Sequence, residues 1–446
     1  MRNLGLDVGM GLLLLAAVPQ VHAGFALGDQ DRVAFFGNGV LTKSDLPMGV
    51  ETFIRIRYPE LKAQFRSFGL HADAILKGTV ERFEKEVMLF KPTVVVFGFV
   101  TGDVPQAPFN ESDFNRFKAD FPALVERVKQ TGARLYIMTP SCPEITKKEQ
   151  LKSINYEETL AKYAEAVRAV AQEKGATVVD WFAASKQYGA DHAGNKRLAT
   201  TVDGVAPSVL GFAIGMTALL DAWAAEPYVI TVTADWESAS VSASMGQAAV
   251  NKVSDEKLEL KLAGMPIPWV VPDRRSIIEE DWPGTKYYSF ILKVGHVPEG
   301  GTMISEPGGK NALPYLSEQL LMGTDMGFIG PLTKLDEIAG LSKWLGAKYE
   351  AVWRQQDFMR KPLPDPEYKQ AYETYYLGLE QYLEATERIV LRQPRTMNVT
   401  LEFYKVPPPS EDTPQIGGAD TTTKPVREGS KKPGERPRKS APPKKP

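Results

Sequence analysis

Between residues 32 and 225, short apolar runs alternate with longer stretches in which apolar side chains recur at helical spacing. A continuous run such as Thr93–Phe97 is typical of a strand inside a parallel sheet. The predicted strands are Val33–Gly37, Ala63–Phe68, Thr93–Phe97, Arg134–Met138 and Thr177–Trp181. The predicted helices are Met48–Arg57, Asp73–Leu89, Glu111–Gln130, Tyr156–Glu173 and Pro207–Ala224. Repeated strand–helix units of this spacing predict an α/β fold, with a parallel sheet and helices on both of its faces.

The pattern changes after residue 225. Alternating segments separated by polar turns predict antiparallel strands over Tyr228–Ala234, Lys257–Leu262 and Tyr287–Val294. Two stretches rich in helix formers follow, and a last alternating segment predicts a strand: Leu332–Met359, Asp365–Arg392 and Met397–Tyr404. The sequence therefore predicts a β-rich segment over residues 226–311 and a helical region with a final strand over residues 312–406.

The two ends of the chain differ from its middle. Arg2, an apolar run over residues 9–18 and the small-residue pattern Val21–Ala23 predict a signal peptide over residues 1–23, and so an exported protein, periplasmic or extracellular. An ordinary buried or anchoring helix is the alternative. Residues 407–446 are rich in Pro and Lys, which predicts a disordered tail. Its positive charge would allow contact with anionic surfaces.

Composition narrows the classes of function. The chain has 446 residues, 43% of them hydrophobic and 24% charged, with a net charge of -2. These values predict a soluble globular protein of more than one domain, and no nucleic-acid partner for its folded part. A single cysteine, Cys142, excludes an internal disulfide. With 4 histidines and no Cys/His cluster at zinc spacing, we expect neither a metal nor a cofactor.

A series of short motifs follows the predicted strands in order. The first strand runs into the turn Phe36–Gly39, Gly69 follows the second strand, and Gly102-Asp103 follows the third. Asp203-Gly-Val-Ala-Pro207 stands at the start of the last helix of the α/β region. Each motif is weak by itself, and the order and spacing of all of them carry the information.

This series resembles the SGNH/GDSL hydrolases, which are exported esterases and acetylhydrolases. The resemblance covers residues 30–225 and implies a flavodoxin-like three-layer sandwich. The β-rich and helical remainder, with Trp353-Arg354 after a long helical stretch, resembles the C-terminal extension of a bacterial group in this family.

The family's chemistry uses a serine nucleophile, a histidine base, an aspartate that orients the base, and glycine and asparagine groups that stabilise an oxyanion. Carried over to this chain, the nucleophile position holds Asn38 and the glycine position holds Gly69. The asparagine position holds Gly102 (Val100 in another register), the aspartate position holds Asp203, and the histidine position holds Ala206. The resemblance therefore implies an esterase fold that has lost its nucleophile, its base and one oxyanion donor.

Two functions stay open at this point. The first is an inactive envelope protein that binds an acylated saccharide or another cell-envelope polymer in a cleft lined by Asn38, Gly69, Thr101 and Asp203. The second is an active ester hydrolase, acting on carbohydrate or lipid acyl esters, with relocated residues: Ser44 with His71, or Cys142 with His192. A structural role in the envelope that depends on the basic tail is a further possibility. The tyrosines Tyr372, Tyr375, Tyr376 and Tyr382 predict packing in the core or at an interface, with a carbohydrate-stacking surface as the alternative.

Overall fold

The computed structural model describes residues 24–42, 46–70, 79–98, 104–195, 198–227, 229–266, 283–284, 286–287, 289–297, 302–306, 310–325, 336–359, 366–393 and 396–405. The predicted signal peptide and the predicted disordered tail lie outside these ranges. Within them, no helix combines the length and the apolar character that a membrane span requires.

A parallel sheet of five strands forms the first part of the molecule. Its strands are β1 (Arg32–Gly37), β2 (Gln64–Gly69), β3 (Val94–Gly98), β4 (Arg134–Met138) and β5 (Thr177–Val179). They lie in the order β2-β1-β3-β4-β5, and every pairing between them is parallel. This strand order is that of a flavodoxin-like fold, so the predicted fold class is confirmed.

Helices cover both faces of this sheet. Their bounds are α1 (Leu46–Arg57), α2 (Thr79–Arg82), α3 (Glu111–Lys129), α4 (Glu149–Ser153), α5 (Tyr156–Lys174), α6 (Trp181–Asp191) and α7 (Val209–Ala222). Because successive strand residues point to opposite faces, Phe35 joins the core under α1 and α7, whereas Phe36 joins the core under α3 and α5. Two cores on one sheet make the three layers that the sequence predicts.

Two local predictions in the sandwich need correction. The fifth strand ends at Val179 and does not reach Trp181, because the Asp180 side chain accepts a hydrogen bond from the Ala183 amide at 3.2 Å and caps helix α6. Of the helix predicted over Asp73–Leu89, residues 73–78 lie outside the described ranges, and the rest is not a regular α-helix. It continues beyond α2 as a π turn and then a 3-10 turn.

The chain continues into two further sheets. Their strands are β6 (Val229–Asp235), β7 (Ser240–Ala243), β8 (Gln247–Ser254), β9 (Lys257–Pro266), β10 (Ser289–Gly295), β11 (Thr302–Glu306), β12 (Lys310–Tyr315), β13 (Thr324–Asp325) and β14 (Thr396–Lys405). One sheet has the order β13-β10-β6-β7 and the other β12-β11-β14-β9-β8. Leu260 of β9 and Leu292 of β10 belong to the same core as Phe35.

The prediction that the strands after residue 225 are all antiparallel is wrong for one pair. Strands β6 and β10 are parallel, with Ile230 opposite Phe290. They are not joined by a hairpin, because the chain between them leaves this sheet and forms β8 and β9 of the other one. Strand β10 therefore enters beside β6 in the same direction.

The predicted C-terminal helices are present. Helix α8 (Ser317–Met322) is followed by α9 (Asp336–Met359) and α10 (Pro366–Arg392). Helix α9 packs against α1 and against β2, which is an edge strand of the parallel sheet. On α10, Tyr375 and Tyr382 are 45% and 44% exposed, so these two side chains do not pack in the core. Packing at an interface and the carbohydrate-stacking surface both stay predictions.

Candidate functional site

Three neighbouring strands of the parallel sheet end in glycine at the same level. Gly37 lies opposite Gly69 on one side and opposite Gly98 on the other. A Cβ atom on Gly37 would lie 2.1 Å from the Gly98 carbonyl oxygen, and one on Gly69 would lie 2.2 Å from the carbonyl carbon and oxygen of Leu41. The turn after β1 therefore packs directly on Gly69, which only a residue without a side chain allows.

Asn38 begins this turn and is buried, with 3% of its surface exposed. Its backbone amide donates to the Gly98 carbonyl oxygen at 2.9 Å, which holds it against β3. Its side-chain oxygen accepts from the Val40 amide at 3.3 Å and so caps the short 3-10 turn Gly39–Leu41. Asn38, which begins this turn, and Gly69, on which the turn packs, thus lie at the same end of the sheet.

A small recess opens beside Asn38, at the carboxyl ends of β3 and β4. Its closed part has room for about one water molecule, and the rest is open to solvent. The described residues that line it are small, apolar or hydroxyl-bearing: Asn38, Val40, Gly98, Met138, Thr139, Pro140, Ser141 and Trp181. We call this recess the Asn38 cavity. It lies where open α/β sheets bind their ligands.

Two polar groups in this wall are used by the fold. The Thr139 hydroxyl donates to Asp180 at 3.1 Å and accepts from the Phe182 amide at 2.8 Å. The indole N–H of Trp181 donates to the Gly211 carbonyl oxygen at 3.1 Å. These bonds fix the wall, since each joins the end of β4 or the start of α6 to a neighbouring element.

Asp203 lies in a closed loop in front of α7. Its Oδ1 accepts from the amides of Ala206 at 2.7 Å and Val205 at 3.0 Å, and its Oδ2 is 3.0 Å from Nζ of Lys148. The amide of Ala206, the ion pair with Lys148 and the amide of Val205 together lower the pKa of Asp203 to about 2. The carboxylate is therefore ionised at neutral pH, and both of its oxygens accept hydrogen bonds from these partners.

The Asp203 loop is also tied to the segment after β4. Glu144 accepts from the Thr201 amide at 2.8 Å through Oε2, and its own amide donates to the Gly204 carbonyl oxygen at 2.9 Å. Asp203 is not among the described residues that line the Asn38 cavity. The carboxylate of Asp203 is instead bonded to backbone amides of its own loop and to Lys148.

Several predicted site residues fall outside the described ranges. They are Ser44, His71, Val100, Thr101 and Gly102. The Ser44–His71 pair and the Thr101 hydroxyl therefore stay predictions.

The alternative nucleophile Cys142 is buried. Its thiol donates to the Pro143 carbonyl oxygen at 3.8 Å and its amide donates to Ser185 at 2.7 Å. Burial, reinforced by the charge of Glu157, raises the pKa of Cys142 to about 12. His192 points Nδ1 at the Tyr188 carbonyl oxygen at 2.8 Å and stacks on the Tyr188 ring. None of the contacts of Cys142 to the described residues is with His192, so this predicted pair is not brought together.

The sequence reasoning missed the β4 side of the cavity. Thr139, Pro140 and Ser141 follow directly after a predicted strand, and ligands of open α/β sheets bind at such strand ends. That rule predicts a role in the site for these residues, whereas the prediction for this turn concerned only Cys142. Among the described residues, no group of three or more His, Cys, Asp or Glu side chains is arranged to hold a metal ion.

No protein-family model matches this sequence, and no curated protein matches it. A solved structure of a gut microbial diltiazem-metabolizing enzyme is similar with a TM-score of 0.66 and 13% identity, over 85% of this chain and 98% of that one. The acetylxylan esterase Axe2 from Geobacillus stearothermophilus gives a TM-score of 0.40 and 22% identity, over 45% and 97%. LAE5, an alpha/beta hydrolase enzyme from the Lake Arreo metagenome, gives 0.37 and 17%, over 45% and 98%. The first likeness shows that the chain shares its fold with an enzyme, both in the sandwich and in most of the remainder.

Proposed function

We propose that this chain is a degenerate member of the SGNH/GDSL hydrolases that binds a ligand in the Asn38 cavity without hydrolysing it. One observation carries the proposal. The described residues that line the cavity include no carboxylate, imidazole, amine, thiol or phenol, and so no side chain that exchanges a proton near neutral pH. The strand order β2-β1-β3-β4-β5 and the turn at Asn38 support the family assignment.

Acyl transfer by this family needs a hydroxyl nucleophile and a base within about 3 Å of each other. The carboxamide of Asn38 supplies neither group, and its oxygen is used to cap the turn. At the position of the base, Ala206 has only a methyl group, and its amide donates to Asp203. The orienting carboxylate is paired with Lys148 instead. Without a nucleophile and a base, these family positions offer no route to an acyl-enzyme.

The place of action is part of the proposal. The N-terminal pattern of Arg2, the apolar run over residues 9–18 and Val21–Ala23 supports export to the periplasm or the cell exterior. There the ligand would be an acylated saccharide or another polymer of the cell envelope. The basic tail would add contact with anionic surfaces.

Hydrolysis and binding assays on the purified protein test this proposal. With p-nitrophenyl acetate and with acetylated xylo-oligosaccharides, we expect release rates equal to those of buffer, and the same rates for Asn38→Ala. With the acetylated oligosaccharides, titration calorimetry should detect binding that Asn38→Ala weakens and Leu89→Ala, an exposed control, leaves unchanged. Hydrolysis that disappears in Asn38→Ala would overturn the proposal. Labelling by a fluorophosphonate at Ser44, or by a thiol probe at Cys142, would favour the active hydrolase.

A further inference from the structure

The two parallel strands β6 and β10 end side by side, and an ion pair joins the residues at their ends. Asp235, the last residue of β6, lies opposite Gly295, the last residue of β10, and His296 follows directly. Nδ1 of His296 lies 2.6 Å from Oδ2 of Asp235. The amide of Trp236 donates to the Gly295 carbonyl oxygen at 3.0 Å. One side-chain contact and one backbone hydrogen bond thus connect the two strand ends.

Asp235 is held in place by the turn that follows β6. Its Oδ1 accepts from the amide of Ser238 at 2.8 Å and from the Ser238 hydroxyl at 2.7 Å. That hydroxyl lies 3.0 Å from the hydroxyl of Ser240, the first residue of β7. Because Oδ1 is bonded to the turn, the carboxylate presents Oδ2 to His296 in a fixed orientation.

His296 has a backbone conformation that its side chain helps to maintain. Its φ is +50°, in the left-handed region that residues other than glycine rarely adopt. The side chain is 66% exposed, so burial does little to hold the ring. The bond to Asp235 therefore anchors both the ring and the backbone of the residue that ends β10.

Two acidic groups act on the imidazole, Asp235 at the end of β6 and Glu237 in the turn after it. The hydrogen bond to Asp235, the charge of Asp235 and the charge of Glu237 raise the pKa of His296 above its ordinary value of 6.5. A group whose pKa is raised by folding contributes stability that is complete below the unfolded value and is lost as the pH rises through the folded value. This contact therefore changes its strength within the physiological pH range.

We propose that Asp235 and His296 form a pH-sensitive latch that holds the end of β10 against β6 and the turn after it. Below about pH 6.5 the imidazolium pairs with the carboxylate, and the latch is strongest. As the pH rises and the ring loses its proton, the bond to the carboxylate keeps only one of its two charges and weakens. The two strand ends then separate more often by local opening. This inference is independent of the proposed function and of the Asn38 cavity.

Hydrogen exchange of the full-length protein, followed by mass spectrometry, tests the latch. The reporters are the amides of Trp236 and Ser238, which bond to Gly295 and to Asp235. At about pH 5.5 we expect them to exchange about twofold to fivefold faster in His296→Gln than in the parent, and at about pH 8.5 at equal rates, which is the range for an exposed ion pair. Because the two proteins are compared at the same pH, the effect of pH on the chemistry of exchange cancels. His192→Gln, a histidine on another element, is the matched control and should match the parent at both pH values.

Titration of the histidine by NMR separates the latch from a merely structural contact. The His296 ring of the parent should titrate above pH 6.5, and in Asp235→Asn its pKa should fall toward that value. Equal exchange in His296→Gln and the parent at the lower pH would overturn the inference. An acceleration of the same size at both pH values would overturn it too, because His296 would then hold the strand end without sensing pH. So would a His296 pKa that Asp235→Asn leaves unchanged.

Discussion

The Glu51 carboxylate lies within 2.8 and 3.0 Å of Nζ of Lys348, although 297 residues separate them in the chain. Glu51 also accepts from Arg55 at 3.0 Å and from the Tyr349 hydroxyl at 2.8 Å, and Lys348 reaches Glu387 at 2.6 Å. All of these groups are buried or nearly so. This network joins α1 of the sandwich to α9 and α10. It balances two carboxylates with two cations at the place where the C-terminal helices cover the sheet edge.

Removing one member of this network should destabilise the whole protein. We expect Lys348→Met to lower the free energy of unfolding by about 3–5 kcal/mol, because it leaves buried carboxylates with too few positive partners. Urea unfolding followed by circular dichroism measures the change. Lys343→Met, an exposed position on the same helix, should stay within about 0.5 kcal/mol of the parent. Equal midpoints for the two variants would contradict the role of the network.

Acid should weaken the same contact. Burial by itself would raise the pKa of Glu51, but Lys348 and Arg55 outweigh burial and hold it below its ordinary value of 4.5. A carboxyl whose pKa is lower in the folded state contributes stability above its unfolded value and loses it as the pH falls. We therefore expect the unfolding free energy to decline below about pH 4.5, and to decline less steeply in Glu51→Gln. Urea midpoints between pH 3 and 7 test this, and parallel curves would refute it.

Adding a single methyl group at Gly69 should destabilise the protein. In Gly69→Ala the new Cβ would lie 2.2 Å from the Leu41 carbonyl group and 2.4 Å from the Thr42 nitrogen, both backbone atoms. We expect a loss of about 1–3 kcal/mol as the turn is pushed off the sheet. Gly189→Ala, in helix α6 with nothing within 4 Å of the new carbon, should gain about 0.5–1 kcal/mol. Thermal melts of both variants measure these changes in stability. A Gly69→Ala variant as stable as the parent would show that the turn is not packed on Gly69.

The single thiol should be inert in the folded protein. With the pKa of Cys142 raised to about 12 by burial, roughly one thiol in ten thousand is ionised at pH 8. We expect iodoacetamide to modify Cys142 only after denaturant is added, as peptide mass spectrometry can measure. Rapid modification of the native protein would revive Cys142 as a candidate nucleophile.

Asp203 should titrate as a structural carboxylate. Carbon-detected NMR should give it a pKa of about 2, and Lys148→Met should move that value upward without restoring the ordinary 3.8, because the Ala206 and Val205 amides remain. Its contribution to stability is present above pH 3.8 and is lost as the pH falls toward 2. Asp203→Asn should cost less than about 1 kcal/mol at pH 7, since the ion pair is partly exposed. An unshifted pKa of Asp203 would show that its bonds to the two amides and to Lys148 do not form in solution.

Part of this architecture was readable from local pattern. A strand that is buried on both faces needs a continuous apolar run, so β1, β3 and β4 could be placed within a residue or so. The turn at Asn38 could also be predicted, because it follows a strand and is flanked by glycines. The parallel pairing of β6 with β10 was not, because strand direction depends on the path of the chain between them.

The sequence by itself determined the α/β layering and the position of the turn, because both follow from the pattern of neighbouring residues along the chain. It also gives directly the residue types at positions 38, 203 and 206. Only the tertiary structure decided which groups meet. It put Ser141 beside Asn38, paired Asp203 with Lys148, and joined Glu51 to Lys348. These contacts link segments that are distant in sequence, and they form only because packing of the sheets and helices carries those side chains to the same place.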